Sequence, residues 1–126
     1  MRNFDESQSW LDNSGKPLIG RITFYKLHTS EKAQIYNVNG TAIANPVFTN
    51  TIGQTVQQVF LDNDVDYTVE FEKYIGEGSM EDDTESTNWE FQYSNDCPSI
   101  KIVLEVETDS LQSINTISDL RGLNPD

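Results

Sequence analysis

The amino-acid sequence predicts an all-β protein, an antiparallel β-sandwich of the immunoglobulin-like or transthyretin-like kind with one short C-terminal helical turn. Two observations favour this class. Short segments alternate apolar and polar residues, most clearly at residues 66–72, and Gly, Asn or Pro residues separate them. Scarcely any segment has the period of a helix, so two packed sheets are the natural way to bury the apolar faces.

The first strand is expected at residues 21–27, after a polar turn at residues 13–17 (Asn-Ser-Gly-Lys-Pro) that tolerates positive φ. Both faces of this strand carry apolar side chains, which indicates a central position in a sheet. The Asn39-Gly40 pair is the strongest hairpin signal of the chain. Strand patterns occur at residues 21–27, 34–38, 41–44, 47–49, 54–61, 66–72, 89–93 and 100–107.

Alternation in the last three of these segments predicts which side chains face the core. A strand with one apolar face packs that face inward and leaves the other in water. The inward residues are expected to be Tyr67, Val69 and Phe71, then Trp89, Phe91 and Tyr93, and finally Ile100, Ile102, Leu104 and Val106.

The remaining segments suggest three regions. Residues 1–10 are mostly polar and are expected to form an N-terminal arm, residues 11–108 the β-sandwich, and residues 109–126 a connector. Residues 76–88 contain two glycines and an acidic run, which indicates an exposed loop. Near the end, Thr116 can cap a single helical turn that Gly122 terminates.

Charge and composition exclude several classes of partner. The net charge is −13, from 21 acidic and 8 basic residues, so the chain repels nucleic-acid phosphates and anionic lipid. No apolar run approaches the roughly 20 residues of a membrane span, and the N-terminus does not resemble a signal peptide. Cys97 is the only cysteine, so no intrachain disulfide can form.

The sequence offers little for catalysis. His28 is the only histidine, and its neighbours match neither a nucleophile elbow nor a zinc site, so no catalytic, cofactor or metal residue is expected. Residues 62–66 begin like a calcium loop, but Tyr67 and Lys73 replace the required glycine and carboxylate. A looser calcium site there or at residues 81–85 is an alternative to solvated acidic loops.

Aromatic side chains give a second alternative. A carbohydrate-binding module for host-surface recognition could stack sugars on them, although strand alternation explains most of them as core residues. Trp10 lies outside any strand pattern, and tryptophan is enriched at interfaces. The six aromatic residues concerned are Trp10, Tyr25, Tyr36, Trp89, Phe91 and Tyr93.

An ordered set of short motifs resembles a β-domain found near the N-termini of bacteriophage tail fibres and tailspikes. The set covers about 60 residues in the family's order, and the sequence departs from it at residues 27–30 and 49–50. The motif residues are Asp12, Gly15, Pro17-Leu18, Gly20, Phe24-Tyr25, Ile35-Tyr36, Gly40-Thr41, Asn45-Pro46, Gly53 and Tyr67-Thr68-Val69. Residues 114–125 resemble the connector that leads from such a domain into a fibre body.

This resemblance implies a non-enzymatic structural protein of a tailed phage virion, assembled in the bacterial cytoplasm, that attaches a tail fibre or tailspike to the particle. It implies other virion proteins of the tail or capsid as partners, and a homo-oligomer, most naturally a trimer. The acidic charge and the lack of an apolar span predict that neither nucleic acid nor membrane is a partner. Isolated apolar residues at both ends suit burial against another chain. These interface candidates are Phe4, Trp10, Leu111, Ile114, Ile117, Leu120 and Leu123.

Overall fold

The computed structural model describes residues 1–99, and their regular structure is almost entirely β-strand. Within this part of the chain, eight strands form two antiparallel four-stranded sheets, which confirms the predicted all-β sandwich. The strand expected at residues 100–107, the helical turn at residues 116–122 and the connector at residues 109–126 lie outside the described residues.

The first sheet has the strand order β1-β6-β3-β4 and the second the order β5-β2-β7-β8. Two short 3-10 turns, Met80–Asp82 and Ser86–Asn88, lie in the acidic loop between β7 and β8. The strands are β1 (Arg2–Asn3), β2 (Gly20–Lys26), β3 (Ile35–Tyr36), β4 (Ala42–Ile43), β5 (Val47–Phe48), β6 (Phe60–Leu61), β7 (Tyr67–Tyr74) and β8 (Trp89–Cys97).

Strands β2 and β7 form the centre of the second sheet. They pair without a register shift from Gly20 opposite Lys73 to Lys26 opposite Tyr67. Alternate residues of both strands face the first sheet, so the prediction that Tyr67, Val69 and Phe71 point inward is confirmed. The core is made of Leu18, Ile22, Phe24, Ala33, Ile35, Val47, Val59, Leu61, Tyr67, Val69 and Phe71.

The single strand expected at residues 54–61 is wrong, because this segment crosses from one sheet to the other. Thr55 bridges to Thr49 just after β5, and Val56 N donates to the carbonyl oxygen of Phe48 at 3.0 Å. Residues 60–61 then form β6 in the first sheet. One straight strand cannot hydrogen-bond to both layers, so the alternation in this segment does not continue as a ladder.

Strand β8 contains a β-bulge that changes which side chains it buries. Phe71 of β7 pairs with Tyr93, whereas the next residue, Glu72, pairs with Phe91, so Gln92 is an extra residue on β8. Gln92 is 9% exposed and Phe91 is 55% exposed. The prediction that Phe91 faces the core is therefore wrong, because the inserted residue reverses the alternation on one side of the bulge.

One five-residue turn occurs three times, at residues 12–16, 37–41 and 50–54. Each begins with Asp or Asn, whose side-chain oxygen accepts hydrogen bonds of 2.8–3.1 Å from the backbone N–H groups two and four residues later. The fourth residue is a glycine with φ between +80° and +83°. The second turn joins β3 to β4, which confirms the hairpin predicted from Asn39-Gly40.

Replacing the turn glycines by alanine should separate backbone strain from steric clash. Gly15 faces open space, so Gly15→Ala is expected to cost about 1 to 2 kcal/mol for a non-glycine residue at positive φ. A Cβ at Gly53 would also overlap the carbonyl oxygen of Trp10, so Gly53→Ala should cost at least about 1 kcal/mol more. Urea unfolding followed by tryptophan fluorescence measures both values, and equal costs would contradict the packing described around Gly53.

Candidate functional site

The N-terminal segment, expected as an arm beside the sandwich, packs into it. Strand β1 pairs with β6 at the edge of the first sheet, and Phe4 N donates to the carbonyl oxygen of Val59 at 2.8 Å. The guanidinium of Arg2 lies over the ring of Tyr67, 5.5 Å from its centroid. Residues 1–10 therefore contribute a strand and two aromatic rings to the folded unit, since burial of those rings is favourable.

Phe4 and Trp10 are the two predicted interface residues that lie within the described chain. Their rings stack on each other with centroids 5.1 Å apart, Phe4 meets Phe24 edge-on at 4.8 Å, and Trp10 lies 4.9 Å from Phe71. Both side chains are half-buried against the core of their own chain. The other five candidates lie outside the described residues: Leu111, Ile114, Ile117, Leu120 and Leu123.

A buried carboxylate holds the N-terminal segment where it enters the core. Asp5 is 4% exposed, and its side chain accepts a hydrogen bond from the hydroxyl of Thr55. Desolvation raises the pKa of Asp5 above its ordinary value, and this outweighs the opposite effect of the Thr55 hydrogen bond. The charged form of Asp5 is therefore disfavoured in the folded state.

The first of the three turns borders a cleft that contains two lysines. Asp12, nearly buried, accepts hydrogen bonds from Lys16 N at 3.0 Å and Ser14 N at 2.8 Å, and its other oxygen lies 3.3 Å from the ammonium of Lys73. These groups lower the pKa of Asp12, with the Lys16 hydrogen bond as the largest cause. The cleft has a volume of about 330 Å³ and is lined by Asp12, Lys16, Pro17, Ile19, Thr51, Lys73 and Tyr74.

Gln92, the bulge residue, ties this turn to strand β8. Its side-chain oxygen accepts a hydrogen bond from Asn13 N at 2.9 Å, and the side chain of Asn13 donates to the carbonyl oxygen of Gln92 at 3.0 Å. Neither residue stands out in the sequence, because each is an ordinary polar residue whose partner lies 79 positions away. The bulge turns Gln92 inward and so fixes the turn against the second sheet.

The acidic loop at residues 76–88 is organised around Asp83. Its carboxylate accepts hydrogen bonds from the hydroxyl of Tyr74 at 2.7 Å, from the side chain of Asn88 at 2.8 Å and from Glu85 N at 2.9 Å. The Tyr74 hydrogen bond is the largest cause of a lowered pKa at Asp83, and the same bond raises the pKa of Tyr74. Asp83 therefore supports the loop, while Glu81 points to solvent.

Neither acidic segment assembles a metal site among residues 1–99, which contain no group of three or more His, Cys, Asp or Glu side chains placed to hold an ion. In the segment at residues 62–66, the carboxylate of Asp62 accepts a hydrogen bond of 3.3 Å from the hydroxyl of Tyr36. The backbone carbonyl of Asp62 also accepts a hydrogen bond from Arg2. The groups at the start of this calcium-like segment thus have structural partners.

The six aromatic residues considered for sugar stacking do not share a surface. Trp10 and Tyr93 pack on the core, whereas Trp89 is buried on the opposite face of the second sheet. There Trp89 lies under the guanidinium of Arg21, 4.0 Å from its ring centroid, and Arg21 forms a 2.6 Å ion pair with Glu72. Only the register of β2 with β7 brings Arg21 and Glu72 together, so neither residue stood out in the sequence.

His28 and Cys97, the histidine and the cysteine of this chain, lie near the start of β7 and at the end of β8. The ring of His28 is 69% exposed and lies 3.3 Å from the carboxylate of Asp96. Cys97 is a half-buried free thiol whose sulfur is 3.9 Å from the guanidinium of Arg2. These contacts contain no nucleophile-base pair of the kind used in covalent catalysis within the described chain.

No protein-family profile, curated protein or solved structure matches this chain. Among residues 1–99, no helix is long and apolar enough to cross a membrane.

Truncating Phe4 tests whether it belongs to the core of its own chain. Phe4→Ala is expected to lower the free energy of unfolding by about 2 to 3 kcal/mol, because it removes the ring that contacts both Trp10 and Phe24. Ile52→Ala is the control, since Ile52 is 54% exposed and its truncation should stay within about 0.5 kcal/mol. Chemical denaturation of dilute protein measures both, and a cost for Phe4→Ala that vanishes on dilution would indicate an intermolecular role.

The two buried aspartates should give stability opposite dependences on pH. The lowered pKa of Asp12 means that its contribution is present above the ordinary aspartate pKa, about 4, and is lost as pH falls through the lowered value. The raised pKa of Asp5 means that its contribution is largest below about pH 4 and is lost as pH rises through the raised value.

At pH 7, Asp12→Asn is therefore expected to lower the urea midpoint, while Asp5→Asn should leave it unchanged or raise it. Midpoints measured between pH 3 and 7 test this, with Asp64→Asn at an exposed carboxylate as the control. The assignment fails if Asp5→Asn destabilises the protein at pH 7 as much as Asp12→Asn does.

Proposed function

We propose that this protein is a non-enzymatic structural component of a tailed bacteriophage virion, an N-terminal or adaptor domain that attaches a tail fibre or tailspike to the particle. The observation that carries the proposal is where the motif residues lie. Asp12 and Gly15 build the first turn, Gly40 and Gly53 occupy the positive-φ positions of the other two, and Gly20 pairs with Lys73 where β2 lies beside β7.

The resemblance therefore consists of residues that build a frame. A Cβ at Gly20 would overlap the carbonyl oxygen of Glu72, so the motif glycine allows the central strands to approach. Asn45 in the Asn45-Pro46 motif joins two segments, since its side chain donates to the carbonyl oxygens of Phe24 and Ala33, both at 2.8 Å. A scaffold built from such residues favours a structural role, in which the domain holds other proteins in position.

The proposed partners are other virion proteins of the tail or capsid, and the proposed assembly is a homo-oligomer, most naturally a trimer in the virion. Phe4 and Trp10 already contact their own core, so they are weaker candidates for subunit contacts than the sequence suggested. The proposal therefore assigns those contacts to the connector at residues 109–126, where five apolar residues recur in a mostly polar segment.

Light scattering of the full chain after gel filtration, together with sedimentation beside purified phage particles from the same source, tests the proposal. We expect an oligomer that co-sediments with particles, and Ile117→Asp in the connector should weaken both properties. Ile52→Asp, at an exposed apolar residue of the sandwich, should leave both unchanged. A monomer that stays in the supernatant and binds saccharides in a glycan titration would replace this proposal with the carbohydrate-binding one.

A further inference from the structure

The cleft beside the first turn lies at the end of the sandwich where β2 begins and β7 ends. The first turn, the third turn, the residues just before β2 and the last residues of β7 together form its walls. Its volume of about 330 Å³ lies at the lower end of the range of roughly 300 to 1,000 Å³ in which proteins bind small molecules. The cleft therefore has room for one small ligand.

Backbone hydrogen bonds hold these walls together. Tyr74 N donates to the carbonyl oxygen of Ile19 at 2.9 Å, which joins the end of β7 to the segment before β2. Trp10 N donates to the carbonyl oxygen of Gly53 in the third turn, and Leu18 N donates to that of Trp10, both at 2.9 Å. The cleft is thus formed by paired backbone segments, as is usual for sites that bind small molecules.

Most of the lining surface of the cleft is apolar. Pro17 and Ile19 are exposed to solvent, Ile19 at 41%, and Tyr74 adds an aromatic side chain. Thr51 contributes a hydroxyl from the third turn. Apolar surface of this kind is stabilised when a ligand removes it from water, so the cleft favours a ligand with an apolar body.

The charged groups of the cleft have an excess of one positive charge, from two lysine ammonium groups and one carboxylate. Asp12 lies 3.3 Å from the ammonium of Lys73, and an ammonium has three donors, so Lys73 retains donors for a ligand. The ammonium of Lys16 forms no ion pair with any of residues 1–99. Two cationic donors thus lie beside an apolar wall in a chain of net charge −13.

We propose that this cleft binds a small organic carboxylate with an apolar body. Lys16 and Lys73 donate charge-assisted hydrogen bonds to the carboxylate, and the apolar body packs on Pro17, Ile19 and Tyr74. The acidic side chains elsewhere in the chain oppose this binding only weakly, because exposed charges more than about 8 Å apart are largely screened at physiological salt. The inference goes beyond the proposed attachment role and does not depend on it.

Nuclear magnetic resonance titration of the isotope-labelled full chain with benzoate tests the proposal. We expect saturable shifts of the backbone amides at residues 16, 19, 51 and 73. Benzyl alcohol, which lacks the charge, and glucuronate, which lacks the apolar body, should each bind at least about tenfold more weakly, since each loses one of the two kinds of contact. Equal binding of all three compounds, shifts confined to other residues, or no saturation with benzoate would each overturn the proposal.

A pair of lysine substitutions provides the matched control. Lys16→Gln removes one ammonium but keeps the backbone N–H that donates to Asp12, so the turn is retained while benzoate should bind at least about tenfold more weakly. Lys32→Gln removes the same charge near the other end of β2, where Lys32 bridges to Tyr25, and should leave benzoate binding unchanged. Urea midpoints should be the same for both variants and the unmodified chain. Equal benzoate affinities of the two variants would contradict the assigned site.

Discussion

The pairing of β2 with β7 is the constraint on which the rest of this structure depends. These strands are far apart in the sequence. Each is flanked by a further strand of the second sheet, and their inward side chains share one core with Ile35 of β3 and Leu61 of β6 in the first sheet. Gly20 permits the close approach at one end of the pair. The ion pair of Arg21 with Glu72 and the cover it provides over Trp89 also exist because this register sets them side by side.

The alternation of apolar and polar residues and the turn residues correctly predicted those parts of the fold that depend on short segments of sequence. The alternation in β7, the hairpin turn at Gly40 and the acidic loop after β7 are all present, since each depends on a few neighbouring residues. The segment at residues 54–61 alternates in the same way but divides between two sheets. The alternation of apolar and polar residues indicates which face of a strand is apolar, but it does not indicate which strands pair with it.

The functional surfaces were harder to predict because they depend on contacts between distant segments. Phe4 and Trp10 stood alone in the sequence and were therefore assigned to an interface, whereas the fold brings them to each other and to the core. Gln92 carried no signal, and Asp83 stood out only as one member of an acidic run. Their roles follow from a bulge and from the hydroxyl of Tyr74. A polar residue acquires such a role only when burial removes its water.

The three turns share one backbone conformation although their exposed side chains differ. In the second and third turns, the Asn side-chain oxygen accepts hydrogen bonds from the backbone N–H groups two and four residues later, and the glycine supplies the positive φ. Val38 and Ile52, at such positions, are 61% and 54% exposed. Neither of these side chains takes part in the hydrogen bonds of its turn, so the backbone shape of the turn does not depend on which side chain is exposed there.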